Sequence, residues 1–168
     1  MKNIRKNRAA SLIRLYRFLI LIKCFSNQRE EQHNDLSKED ESGMTNTNLK
    51  TILVVDDETV VRRIARKFLE KEGYNVLEAR DGREAVDFVS QCGDKIDLVL
   101  LDMKMPFMDG YATFPKLKNL NPDLKIIICT AYMTNWKTQQ ILESGAAGYM
   151  EKPYSFRKLM ELIHSVLS

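Results

Sequence analysis

From Lys50 to the end of the chain, short apolar runs alternate with longer stretches of helical period. The runs TILVVD (51–56), IDLVLLD (96–102) and KIIICT (125–130) are almost continuous in Ile, Leu and Val. Unbroken runs of this kind suit parallel strands covered on both faces. Two weaker runs, Asn75–Ala79 and Ala147–Glu151, complete a set of five. Helical stripes fall between them. Val60, Ile64 and Phe68 recur at spacing four, which predicts a helix burying them and turning Arg62, Arg63, Arg66 and Lys67 to solvent. Ala85, Phe88, Val89 and Cys92 mark a second helix, and Phe156, Leu159, Ile163 and Val166 the last. The helix expected between Thr134 and Ser144 has the weakest stripe, essentially Ile141 and Leu142.

Helix ends are marked as well. Asp81-Gly-Arg-Glu84 has the form of a capping box, and Ser155 suits an N-cap. Gly73, Gly93 and Gly145 stand where helices should stop, each suited to a left-handed turn. Pro115 would break a helix that began at Gly110, so the third helix is expected to start near Thr113, with the proline in its first turn. Five strand–helix units imply right-handed crossovers and one doubly wound α/β domain, a parallel sheet with helices on both sides. The expected class is flavodoxin-like (βα)5, and if its strand order is 2-1-3-4-5, strands one and three are neighbours at the switch point.

Charge divides the chain of 168 residues differently from its average. The formal net charge is +3, yet residues 1–25 hold seven Lys/Arg and no acid, residues 26–50 three bases and six acids, and residues 51–168 sixteen and seventeen. The basic excess belongs to an N-terminal arm, and a nucleic-acid partner for the body is not expected. The arm's uninterrupted apolar stretch, Phe18–Ile22, is far shorter than the ~20 residues of a spanning helix. It reads as disorder or as an extension not natively translated, since Met44 opens a remainder that lacks nothing the body needs; the alternative is a basic amphipathic helix on an anionic membrane. Residues 26–48, with Leu36 and Met44 as their large aliphatics and a solitary His33, read as an acidic, disordered linker, leaving 49–168 as the domain. Cys24, Cys92 and Cys129 are odd in number and contain no CxxC pair, which argues against a disulfide framework or a zinc site.

In such a sheet, ligands bind beyond the carboxyl ends of the strands, where the strand order reverses. The first strand ends in Asp56-Asp57-Glu58, the third in Asp102, the fourth in Thr130 and the fifth in Lys152-Pro153. With strands one and three adjacent, carboxylates converge in one pocket, and a hard divalent cation such as Mg²⁺ relieves their repulsion. A metal beside a carboxylate makes phosphoryl transfer feasible, and a carboxylate acceptor forms an acyl phosphate. Asp102, central and flanked by an apolar strand, is the natural acceptor, with Lys152 and the Thr130 hydroxyl to meet the other anionic oxygens.

At these residues ILVVDDE (52–58), LVLLDMKMPFMDG (98–110), CTAY (129–132) and GYMEKPY (148–154) resemble, in order and spacing, the four signature stretches of response-regulator receiver domains. The resemblance covers roughly residues 50–168. It implies that Asp102 is the phosphorylated aspartate, and that Asp56, Asp57, Asp102 and the Lys104 backbone carbonyl hold Mg²⁺. It also implies that Thr130 and Tyr149 are switch positions, that Lys152 is the family's lysine, and that the peptide before Pro153 is cis. The look is closest to single-domain phosphorelay receivers of the sporulation type.

The reading is therefore a cytoplasmic receiver without an output domain. It takes its phosphoryl group from a sensor histidine kinase or histidine phosphotransfer protein and signals through a face of helix four, strand five and helix five. Lys104 and Tyr132, two residues beyond Asp102 and Thr130, are expected to obstruct water and slow loss of the phosphoryl group. A haloacid-dehalogenase-type phosphatase would need DxD on the first strand, where this chain has DDE. A pseudo-receiver that keeps the fold without phosphorylation is disfavoured because all five site positions are filled.

Overall fold

A computed structural model describes residues 49–131 and 136–168, apart from the side chains of residues 137 and 138. The chain divides into two units, Met1–Asn48 and Leu49–Ser168, and the described residues belong to the second. The expectations for the arm, the linker, His33 and Tyr132 lie outside the described residues.

Five parallel strands form one sheet: β1 (Thr51–Val55), β2 (Asn75–Ala79), β3 (Leu98–Asp102), β4 (Lys125–Thr130) and β5 (Gly148–Glu151). Their order is β2-β1-β3-β4-β5, the expected one. Register sets Ile52 against Leu98, and Asp102 against Cys129. The helices are α1 (Thr59–Lys71), α2 (Gly82–Cys92), α3 (Gly110–Leu120), α4 (Trp136–Glu143) and α5 (Phe156–Leu167). Leu98, Leu101 and Ile126 to Ile128 are fully buried. Each such side chain contributes roughly 1.5–3 kcal/mol, which holds the central strands and hence the polar residues at their ends.

Two caps form as expected. The Asp81 carboxylate accepts the Arg83 and Glu84 N–H groups, and Ser155 Oγ accepts the Lys158 N–H. Gly73 and Gly145 adopt left-handed φ of +85° and +94°. Gly93 does not: it is right-handed helical and continues into a short 3₁₀ turn, Gly93–Lys95, where a Cβ would press on Val89.

The face of α1 also differs from expectation. Ala65 and Leu69 are buried and Phe68 half-buried, the last stacking on Phe156 of α5 with ring centroids 4.2 Å apart. Val60 and Ile64 are instead 68% and 50% exposed. Arg62, expected at the solvent face, lies over the sheet beside Glu78, its Nε 3.6 Å from Glu78 Oε2. The four-residue spacing fits either face; the turn from β1, pinned by Asp56, sets the rotation of the helix.

The third helix begins at Gly110, not near Thr113, so Pro115 lies inside it. Asp109 sets the start: its carboxylate accepts the Ala112 N–H at 2.8 Å. The helix therefore carries a proline with no N–H for the Tyr111 carbonyl four residues back. Cys129 is a free, buried thiol. Among the described residues, no helix is long and apolar enough to cross a membrane.

Candidate functional site

β1 and β3 are neighbours, so the residues following each meet above the sheet. The Asp56 N–H still donates to the Ala79 carbonyl at 3.2 Å, extending the β1–β2 ladder, while its side chain turns into the site. There Asp56 Oδ1 accepts the Glu58 N–H at 2.8 Å, which bends the chain into α1. Asp102 ends β3, and its Oδ1 accepts the Lys104 N–H at 3.3 Å. Asp56 and Asp102 are buried and Asp57 is exposed. One carboxylate oxygen from each of the three lies within 4.8 Å of the others.

Lys152 comes from the far side of the sheet. A cis peptide joins it to Pro153, and its N–H donates to the Thr130 carbonyl at 2.7 Å. Its Nζ stands 2.8 Å from Asp56 Oδ2 and 3.2 Å from Asp102 Oδ1. Burial opposes this ammonium charge, but the hydrogen bond to Asp56 and the charges of Asp102 and Asp56 outweigh it and raise the Lys152 pKa. Burial raises the Asp102 pKa, aided by Asp56 and opposed by Lys152 and the Lys104 N–H.

The remaining predicted positions fall around this cluster. Thr130 is buried at the end of β4, one residue past Cys129, the register partner of Asp102. Tyr149 stands apart, on edge strand β5 and 44% exposed. Lys104 is exposed, and its N–H donates to Asp102.

Three residues around the site escape a reading of the sequence. Arg62 Nη1 donates to the Asp56 carbonyl at 2.6 Å and Nη2 to Thr59 Oγ1 at 3.2 Å, clamping the β1–α1 turn. Tyr154 hydrogen-bonds Cys129; burial lifts both groups, the thiol to about 12, so neither ionises near neutrality. Phe107, in the loop after β3, has φ +66°. Helical periodicity does not single out Arg62, and no spacing rule singles out the other two.

Three carboxylates converging from two adjacent strand ends, with an exposed one open to solvent, make a hard oxygen donor set of the kind Mg²⁺ takes. A model of the family described as "Response regulator receiver domain" matches residues 52–164. The chain belongs to that family. Receiver domains are signalling domains of two-component systems; they bind Mg²⁺ at an acidic site and interact with histidine kinases or phosphotransfer proteins.

The receiver is 34% identical over 116 residues to sporulation initiation phosphotransferase F of Bacillus subtilis, a match covering 69% of this chain and 92% of the relative. It is 37% identical over 116 residues to response regulator MprA of Mycolicibacterium vanbaalenii, where 69% of this chain matches 49% of the relative. This chain thus spans about half the length of MprA and most of the phosphotransferase. Among solved structures, response regulator TrrA from Thermotoga maritima in complex with Mg²⁺ and BeF superposes with TM-score 0.61 at 33% identity, covering 71% of this chain and all of that one.

Proposed function

We propose that this receiver accepts a phosphoryl group from a protein phosphohistidine onto Asp102, with Mg²⁺ held by Asp56, Asp57, Asp102 and the Lys104 carbonyl. The observation that carries the reading is the carboxylate trio within 4.8 Å, bridged by Lys152 at 2.8 and 3.2 Å. In the transfer, an Asp102 carboxylate oxygen forms a bond to phosphorus. The phosphorus–nitrogen bond to the imidazole breaks, and its electron pair returns to the ring nitrogen. Bound Mg²⁺ supplies charge neutralisation at the phosphoryl oxygens.

The chain's own groups do the remainder. Lys152, already between Asp56 and Asp102, pairs with an anionic phosphoryl oxygen as a charge-assisted donor. The Thr130 hydroxyl donates to another. Movement of Thr130 toward the new charge draws in the loop after β4 and re-seats Tyr149, which alters the α4–β5–α5 face offered to a downstream protein. The switch is a local electrostatic event biasing a two-state element. Its setting is cytoplasmic.

Phosphoramidate labelling with Mg²⁺ tests the assignment. Wild type takes up label as an acid-stable, base-labile acyl phosphate; Asp102→Ala takes up none; Asp57→Ala takes it up more slowly and needs more Mg²⁺. Equal labelling of Asp102→Ala would refute the acceptor. Wild type that stays unlabelled would instead mark a pseudo-receiver, a binding module of the same fold.

A further inference from the structure

The loop between Asp102 and α3 is tightly closed. The Gly110 N–H donates to the Met103 carbonyl at 3.2 Å, and the Met108 N–H reaches back to the Pro106 carbonyl at 2.8 Å. The residue between the last two is Phe107, at φ +66°. A hydrogen bond across two residues with positive φ at the centre is the rare, strained form of γ-turn. Left-handed backbone is strained for a residue with a Cβ, and such strain persists only where something over-determines it.

The side chain does not repay that cost within the domain. The Phe107 ring is 86% exposed, and the Arg83 guanidinium lies over it, 5.0 Å from the centroid. At an exposed site such a contact is weak, too little to offset strain and exposure together. A glycine would relieve the backbone and a polar residue would suit the water. An exposed aromatic fixed five residues beyond Asp102, with a cation over its face, has the composition of an interface anchor, for which aromatics and arginine are favoured. Val60, two residues after Glu58 in the first turn of α1, is exposed as well.

We propose that Phe107 is a specificity anchor for the protein that delivers the phosphoryl group. Its ring seats in an apolar pocket beside the donor's phosphohistidine, and Arg83 meets an acidic or carbonyl oxygen at that pocket's edge. The occupant follows from position: any macromolecular donor that brings an imidazole to Asp102 must cover the loop immediately after it. The inference rests on Asp102 being the acceptor. A small donor needs no such anchor.

The test compares wild type, Phe107→Gly and Phe107→Ala with two donors. The small donor is radiolabelled phosphoramidate. The protein donor is the autophosphorylated core of whichever sensor kinase from the source organism labels wild type fastest in a purified panel. Both variants should match wild type within twofold with phosphoramidate and lose at least tenfold in kcat/KM with the kinase core, mainly through KM. Phe107→Gly should also melt a few degrees higher. The proposal is overturned if Phe107→Gly accepts from the kinase within twofold of wild type, if no kinase in the panel favours wild type over it, or if phosphoramidate labelling falls in parallel. Failure of wild type to label with phosphoramidate would strike the acceptor assignment instead.

Discussion

The Lys152 ammonium stands 2.8 Å from the Asp56 carboxylate, across 96 residues of sequence. This pair spans β1 to β5 and keeps two buried acids tolerable before any metal arrives. Removing one partner of a buried pair costs about 3–5 kcal/mol, less where solvent reaches it. With the Lys152 side chain 26% exposed, Lys152→Met should lose roughly 1–3 kcal/mol at neutral pH. The raised Lys152 pKa sets the sign of the pH dependence. The stabilisation is whole below the unfolded-state value of about 10.4 and fades as pH climbs through the folded one. Urea titrations of both proteins from pH 7 to 11 should show the gap constant at first, then closing. Saturating Mg²⁺ should narrow it at neutral pH.

Asp102 predicts the opposite sign. Burial raises its pKa, so the folded state holds this proton more tightly than the unfolded chain does. The group therefore costs nothing below the unfolded carboxylate range near 3.9, and costs stability as pH rises through the folded value. Asp102→Asn should melt a few degrees above wild type at pH 7 without Mg²⁺, at about 2–4 °C per kcal/mol for a chain of this size. Scanning calorimetry should find the two converging as pH falls toward 4. A variant no more stable than wild type at pH 7 would contradict burial as the dominant influence.

Arg62 positions the end of β1, the proposed metal-facing end, through backbone and hydroxyl oxygens rather than through the carboxylate trio. Its guanidinium holds the Asp56 carbonyl and the Thr59 hydroxyl while lying beside Glu78. A lysine offers a point charge and cannot span these partners as a planar fork does. Arg62→Lys should keep most of the stability yet weaken Mg²⁺ binding roughly tenfold, the lower range for loss of an outer-sphere support. Arg62→Ala should lose about 1.5–3 kcal/mol in addition, the worth of hydrogen bonds from a charged group. Intrinsic Trp136 fluorescence or amide NMR titrated with Mg²⁺ would show both. Unchanged affinity in Arg62→Lys would reduce the clamp to a purely structural role.

The sheet was legible because β1, β3 and β4 are buried on both faces and so leave near-continuous aliphatic runs. The acid cluster was legible because strand order places the ends of β1 and β3 side by side. The rotation of α1 was not. Val60, Ile64 and Phe68 make as good a stripe as Val61, Ala65, Phe68 and Leu69, and the choice between them lies in a turn built by Asp56 and Arg62. The start of α3 was hidden for a related reason: it is set by the N-cap at Asp109 even though Pro115 then lies inside the helix, and periodicity registers neither feature. The strain at Phe107 belongs to loop closure and leaves no periodic trace.

Gly110 links the start of α3 to the end of β3 most directly. A Cβ there would come within 2.5 Å of the Asp102 carbonyl oxygen and 2.7 Å of Met103 Cα, both backbone atoms with little room to yield. Overpacking of this kind costs ~1–3 kcal/mol, and here the displacement falls on Asp102, the proposed acceptor. Gly110→Ala should therefore lose about 2–3 kcal/mol and also take up phosphoryl label more slowly from phosphoramidate. Gly145→Ala is the matched control. Nothing lies within 4 Å of its absent Cβ, but its φ of +94° makes any side chain costly, at roughly 1–2 kcal/mol. That variant should lose comparable stability with labelling unchanged. Denaturation and labelling measured side by side separate strain passed to Asp102 from strain alone, and equal labelling rates in the two variants would sever Gly110 from the site.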